Sequence, residues 1–526
     1  MQEVGETEMM TSRKVAIIAI CLVLLSSIMA GCIEKEEAHE SVTTPAQVLT
    51  IGYGRDTNVE SPKMMGFMPE MMVLERLIEY REGKILPILA TSWDIQDNGK
   101  TIVFHLKKNI KFSDGSLFTA EDVKFTFDRL KALKYYHWTE ADRIESVEVI
   151  DPHTIAFHYK EGKEGYIALT AFGEYHCSIM SPASVVPKGN VKGKIVNPIG
   201  TGPWKVKEYV KDQYTIFVPN ENYRGEKPKL DKIIVKNIPD AETRVLALRS
   251  GDVDMIVDYY HGGSRYTPRN LLEPLKREGF NVFKCEMPMT TVITFNYKKE
   301  PWNDVRVRKA VNYAIDKDAV SALFDNWVTP AKYGLYGEKG PYIKEANVEG
   351  YPYDINKAKA LLKDAGYDGL KADLILKGEN PDEVKLGEFI QAQLKKVGIH
   401  VELDVLEGGA YNEKRNKGDY DLRIYYIGGP ERRSYTRTDG RFNPDAPEFK
   451  YGAYDDPELT EVLKKAVSSF DDNERREAFK QFYHILHEKA GVVPLYYDAV
   501  FIVADKKVKG VKYVSSEPRF TGVWME

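Results

Sequence analysis

Cysteine is scarce in this sequence, with four residues in 526. That is too few for the disulfide framework of a small secreted domain. Charge of one sign is equally scarce. The net charge of -5 gives neither the basic surface that nucleic acid requires nor a polyanion. No Gly-x-Ser-x-Gly elbow, no His-Glu-x-x-His and no Cys-x-x-Cys occurs anywhere in the chain, so a hydrolase reading has no motif to stand on. What the sequence has in quantity is aromatic rings, with 32 Tyr and 6 Trp. Such rings suit a pocket that is apolar in body and polar at its edges, although most must serve as core. The length predicts two or three domains.

The N-terminus is the one strongly apolar segment. Arg13 and Lys14 precede an apolar run from Val15 to Ala30, then Gly31 and Cys32. A basic start, an apolar middle and small residues at the end describe a secretory signal. The run is short of the roughly 20 residues that span a bilayer. Met29-Ala30-Gly31-Cys32 has the form of a lipobox, which makes Cys32 the expected lipidation site and new N-terminus. Glu3, Glu6 and Glu8 sit awkwardly ahead of such a leader and point to translation starting at Met9 or Met10. Residues 33–44 are charged and poor in apolar side chains, as expected of a flexible tether.

The body then alternates strand and helix patterns, an α/β chain. Val48–Tyr53 reads as the first strand, and Lys63–Met72 as a methionine-rich helix face. Asn98-Gly99 predicts a hairpin into the strand Thr101–Leu106, and Thr119 with Asp122 predicts a capping box opening Ala120–Leu130. Pro198, Gly200, Gly202 and Pro203 mark a turn. After it come a hairpin through Tyr214–Pro219, a strand Lys232–Ile238, a helix Ala241–Ser250 and a stop at Gly251. Met287–Tyr297 reads as a strand crossing between two lobes, and Asp304 as the cap of the next helix. An αβαβ run follows, with strands Ala372–Lys377 and His400–Leu406, then the strand Leu422–Ile427. Asp456–Ser469 and Asn473–Lys489 read as helices, with His484 and His487 expected on an exposed face. Val492–Val503 returns as a second crossing, and two crossings make a hinge.

Several of these stretches carry recognisable motifs. Gly200-Thr201-Gly202-Pro203-Trp204, Asn220-x-x-Tyr223-x-Gly225-x-x-Pro228 and Gly251-Asp252-Val253-Asp254 occur in that order. Phe112-x-Asp114-Gly115 with Thr119-Ala120-x-Asp122-Val123 precedes them, and the Asp304-to-Lys317 block follows. Together they resemble the peptide- and nickel-binding group of solute-binding proteins of ABC importers. The resemblance implies a periplasmic-binding-protein-like α/β fold of two lobes on a two-strand hinge with an extra α/β subdomain. The layout it implies is a signal peptide over 1–31 and a lipidated tether over 32–45. Lobe I takes 46–80, 200–284 and 495–526, the accessory subdomain 81–199, and lobe II 285–494.

The resemblance also places ligand residues. Met65 and Phe67 fall in the segment after the first strand, which lines the cleft in the family. Trp138, beside His137, falls where nickel-binding members stack a Trp on the bound metal chelate. Tyr135 and Ser178 stand where those members carry arginines. Tyr411 falls at a cleft tyrosine. His176 and Cys177 are chemically able metal ligands, although a satisfied histidine and an inert buried thiol are the blander reading. Peptide-binding members end the strand Leu422–Ile427 with an Asp that pairs with the peptide ammonium. This chain has Pro430 there, as nickel binders do. Arg432 or Arg433 is then expected to grip a chelator carboxylate.

The expectation is a monomeric solute-binding lipoprotein on the outer face of the cell membrane, and not an enzyme. It carries no cofactor, captures a nickel or other divalent-metal chelate, and delivers it to a cognate ABC permease and ATPase. A di- or oligopeptide carrier is the alternative within the class. A sensory or adhesive lipoprotein is the alternative outside it.

Overall fold

A computed structural model describes residues 46–526, apart from 61–66, 82, 135–142, 163–164, 259–266, 429–433, 447–448, 450–452 and 515. Two long antiparallel strands organise it, Asn281–Phe295 and Val492–Ala504, paired from Asn281↔Ala504 to Thr294↔Val492. At one end Val492–Ala504 continues into Met255–Val257 and Val48–Tyr53. Lys232–Asn237, Tyr214–Pro219 and Trp204–Val210 complete that side. At the other end Asn281–Phe295 pairs with Leu422–Gly428, followed by Leu370–Lys377 and Ile399–Leu406. One 11-stranded mixed sheet therefore runs through both lobes.

The register between the two long strands shifts between Glu286 and Thr290. Pro288 lies inside that break, and a proline has no N–H to give to a ladder. Backbone pairing is thus interrupted where the lobes meet, as a hinge requires. The first crossing strand begins at Asn281, six residues before the Met287 that the apolar pattern marks. Asn281, Phe283 and Lys284 are only partly covered or exposed, and their mixed character hides the start.

Each side has its own core. Leu49, Ile51, Trp204, Phe217, Ile233 and Met255 fill the first lobe. Phe295, Trp302, Val307, Leu374, Ile390 and Ile424 fill the second. A separate antiparallel sheet, in the order Ala90–Gln96, Thr101–Leu106, Thr154–Tyr159, Ile144–Asp151, packs under the helix Ala120–Ala132. Its core is a stack of phenylalanines, Phe104, Phe127, Phe157 and Phe172. A further cluster joins this accessory subdomain to the second lobe, where Tyr80 and Ile167 pack among Ile427, Tyr435, Phe479 and Phe482.

The motifs prove to be structural. A Cβ at Gly200 would stand 2.0 Å from the Val73 carbonyl oxygen, and one at Gly202 2.7 Å from that of Met72. Only glycine lets this turn lie against the end of the helix Phe67–Val73. Asn220 is fully buried and its amide donates to the Gly202 carbonyl at 2.7 Å, fastening one motif to the next. Asp254 accepts from the Thr50 N–H at 2.7 Å. The capping box is present, with the Thr119 N–H donating to Asp122 at 2.8 Å. Asp304 caps Val305–Ala314, and Arg308 is buried against the carbonyls of Trp302, Asn303 and Lys489.

Two expectations need correction. His487 is not on an exposed face: it is half-buried and stacks on Tyr351 at 4.3 Å, and burial lowers its pKa. A helix at Ser434–Phe442 was not expected at all, because its sequence is polar on every side.

Candidate functional site

In an α/β sheet the loops that leave the carboxyl ends of parallel strands form the ligand crevice. Val48–Tyr53 is parallel to Lys232–Asn237 and to Met255–Val257, so Tyr53, Asn237 and Val257 end on one edge. Leu370–Lys377 is parallel to Ile399–Leu406 and to Leu422–Gly428, so Lys377, Leu406 and Gly428 end on one edge of the second lobe. Tyr411 falls in the segment that leaves the second of these edges after Leu406.

Just past the first edge, Asp258 is buried. One of its oxygens accepts from the Thr267 N–H and hydroxyl, both at 2.8 Å, and the other from the Phe501 N–H at 3.2 Å. A single carboxylate thereby ties the chain on both sides of 259–266 to a crossing strand. Burial pushes its pKa up to about 6, against the pull of the Thr267 hydrogen bonds and of Arg244 and Arg269.

Arg269, the first residue of the helix Arg269–Arg277, is the most constrained charge in the region. Its guanidinium donates to Asp382 at 2.6 Å and to Asp498. Asp498 belongs to the crossing strand opposite the register break, and Asp382 to the first turn of the helix Pro381–Lys395 in the second lobe. Burial works against the charge on Arg269, but the two carboxylates outweigh it and hold the group firmly protonated. One side chain thus joins the first lobe, the hinge and the second lobe.

At the second edge, Tyr411 is buried on the helix Gly408–Lys417, with the Lys377 ammonium 5.2 Å from its ring centroid and 5.9 Å from that of Tyr426. The Tyr426 hydroxyl donates to Glu383 at 3.2 Å, and the Asn380 amide donates to that hydroxyl at 3.0 Å. Burial raises the pKa of both Glu383 and Tyr411. The strand Leu422–Gly428 ends against the hinge: Gly428 has φ +110°, and a Cβ there would lie 2.1 Å from the Pro288 carbonyl oxygen.

Guanidinium groups lie along this strand and on the helix that follows it. Arg423 and Arg441 lie over the Tyr425 ring at 4.5 and 5.3 Å. Arg437 is buried on the same helix as Arg441, and Arg143 from the accessory subdomain pairs with Asp439 of that helix at 3.2 Å.

In the accessory subdomain, the turn Tyr175–Cys177 is wholly buried. The His176 and Tyr175 rings are tilted at 49° with centroids 3.7 Å apart, and the His176 Nδ1 lies 3.9 Å from the Glu70 carboxylate. Cys177 and Cys285 lie in separate clusters and form no disulfide with each other. Among the described residues no group of three or more His, Cys, Asp and Glu side chains converges as a metal ion requires.

Of the residues expected at the site, Tyr411 and His176 are therefore placed, Tyr411 on the helix Gly408–Lys417 of the second lobe and His176 in the turn Tyr175–Cys177 of the accessory subdomain. Phe67 opens the helix Phe67–Val73, but its side chain lies outside the described residues. Met65, His137, Trp138, Arg432, Arg433 and Cys32 lie outside them as well. Sequence reasoning missed Asp258, Arg269, Asp382 and Asp498. No spacing connects them, since Arg269 and Asp498 are 229 positions apart.

Residues 84–445 match the family model described as bacterial extracellular solute-binding proteins, family 5. The chain belongs to that family. It is 27% identical to heme-binding protein A of Haemophilus influenzae, over 94% of this chain and 96% of that one. It is 28% identical to the dipeptide-binding protein of Escherichia coli, over 83% and 85% of the two chains. Among solved structures it resembles NikA of Brucella suis in complex with Fe(III)-EDTA. The TM-score is 0.81 and the identity 26%, over 91% of this chain and all of that one. The chain is accordingly the solute-binding protein of an ABC importer, not an enzyme, and what it holds is cargo rather than a cofactor. Among the described residues no helix is long and apolar enough to cross a membrane.

Proposed function

We propose that the cargo is a small metal chelate bearing carboxylates, with nickel as the leading metal, and that the chain delivers it to its permease from a lipid anchor at Cys32. The observation that carries this reading is the run of arginines along Leu422–Gly428 and the segment after it. Arg423 and Arg441 lie over Tyr425 of that strand, Arg437 is on the helix with Arg441, and Arg432 and Arg433 stand between strand and helix in the sequence. Guanidinium forks suit carboxylates. The peptide-binding alternative needs an acid for a buried ammonium, and position 430 is Pro. Metal coordination is supplied by the chelator in this reading. The complex of the similar NikA with Fe(III)-EDTA, a metal held by a carboxylate chelator, supports the same cargo class.

On this reading Trp138 stacks on the chelate, with His137, Met65, Phe67 and Tyr411 around it, and Arg432 or Arg433 neutralises its charge. Lobe closure over the cargo gives selectivity through contacts made only in the closed state. Calorimetry decides it. Nickel with two equivalents of L-histidine is compared with nickel alone, with alanyl dipeptides and with hemin. Saturable heat from nickel–histidine supports the proposal. A response confined to dipeptides or to hemin removes it.

A further inference from the structure

The helix Ser434–Phe442 has the sequence SYTRTDGRF, polar on all sides. A helix of that kind is ordinarily solvated or bridges two bodies. Here Tyr435, Arg437, Thr438, Asp439, Arg441 and Phe442 are all buried. Polar residues are covered all the way round only because the helix is sandwiched.

One face belongs to the second lobe. The Tyr336 and Thr438 hydroxyls are 2.8 Å apart, Phe442 packs edge-on to Phe482 at 5.3 Å, and Arg441 lies over Tyr425. The other face meets the accessory subdomain. Tyr435 stands edge-on to Tyr80 at 5.9 Å and to Tyr166 at 5.3 Å. The Thr436 hydroxyl donates to the Glu174 carboxylate at 2.6 Å, and Arg143 donates to Asp439 at 3.2 Å. Glu174 immediately precedes the turn Tyr175–Cys177. Arg143 immediately follows the segment that carries Trp138. Both accessory partners are thus sequence neighbours of segments that the family resemblance assigns to the cleft.

We propose that Glu174–Thr436 and Arg143–Asp439 are the closure contacts of this binding protein, and that these four residues hold the accessory subdomain against the second lobe already in the ligand-free chain. The inference rests on the clam-shell reading but not on the choice of cargo. The chemistry suits the role. Beside the apolar contacts of Tyr80, Tyr166 and Ile167, these carboxylate, hydroxyl and guanidinium groups can exchange their partners for water when the bodies part. The gap between open and closed states then stays small enough for a ligand to govern.

The test is small-angle X-ray scattering on the ligand-free mature chain. A compact unit spanning Gln47–Glu526 has an expected radius of gyration of about 23 Å. The wild type is expected to fit the arrangement described here. Thr436→Val and Arg143→Met are each expected to shift the profile to a larger radius with far-UV circular dichroism unchanged. Thr436→Ser, which keeps the hydroxyl, is expected to restore the wild-type profile. Variants that scatter like the wild type overturn the proposal, as does a wild type already expanded, or a Thr436→Ser protein as open as Thr436→Val. If Thr436→Val does not fold, Glu174→Gln takes its place with the same expected expansion. None of these readouts uses cargo, so failure of the nickel–histidine titration leaves them standing, and their failure leaves the titration standing.

Discussion

Replacing Arg269 by Met tests the account of the hinge. In the folded chain the guanidinium is 4% exposed, and it serves Asp382 and Asp498, which are 17% and 1% exposed. Methionine fills much of the same volume but donates nothing. Asp382 is near enough to water to be rehydrated, so its loss is small. Asp498 is not; it keeps a hydrogen bond from the Ala499 N–H at 2.8 Å and loses its counter-charge. Removing one partner of a buried ion pair typically costs about 3–5 kcal/mol, because the other charge stays buried. The expected destabilisation of Arg269→Met is therefore in that range, against about 1 kcal/mol for Asp382→Asn. Neutralising the stranded charge should reverse much of the loss, so Arg269→Met/Asp498→Asn should recover at least half. Urea unfolding followed by tryptophan fluorescence reads this out, since Trp327 packs on Phe501 of the crossing strand at 5.6 Å. A loss under 1 kcal/mol in the single variant, or a double variant no more stable than the single, refutes the reasoning.

Three further outcomes are expected. Lys317 is buried with the Tyr351 carbonyl at 3.1 Å, and burial lowers its pKa from 10.5 to about 8. A base whose folded pKa is depressed costs stability below that pKa, and the cost fades as pH rises from 8 to 10.5. Lys317→Met should therefore gain about 2–3 kcal/mol at pH 7 and nothing above about pH 10.5; equal gains at both pH values in chemical denaturation contradict it. Gly200→Ala forces a Cβ to within 2.0 Å of the Val73 carbonyl and should abolish soluble expression or lower the melting temperature sharply, whereas Gly189→Ala, where nothing lies within 4 Å of the added Cβ, should lower it far less. Cys32→Ser should abolish incorporation of labelled palmitate in cells, and persistent labelling removes the lipid-anchor proposal.

Much of the fold is legible in the residues because local signals agree with the tertiary structure. Val48–Tyr53, Thr101–Leu106, Tyr214–Pro219 and Ala241–Ser250 occupy the residues that alternation and capping predict. Asp304 caps its helix and Thr119 with Asp122 forms a capping box, as the sequence predicts. The failures have a common cause. Ser434–Phe442 has only Tyr435 and Phe442 as large apolar residues because it packs between two bodies, and part of its burial comes from outside its own lobe. His487 is half-covered by Tyr351, a residue 136 positions earlier, and periodicity carries no such information. The candidate site divides in the same way. Segments at strand ends are legible from turn residues and family motifs. The Arg269 triad is not, because its three members come from a helix start, a hinge strand and a second lobe.

The measurement that bears most directly on the central claim is native mass spectrometry of the protein purified from its own host. The account predicts an unaltered polypeptide carrying one small metal-containing adduct per chain, with the isotopic pattern of nickel or another divalent metal, released intact on gentle activation. A chain carrying a metal-free peptide, or one with no adduct in any preparation, contradicts it.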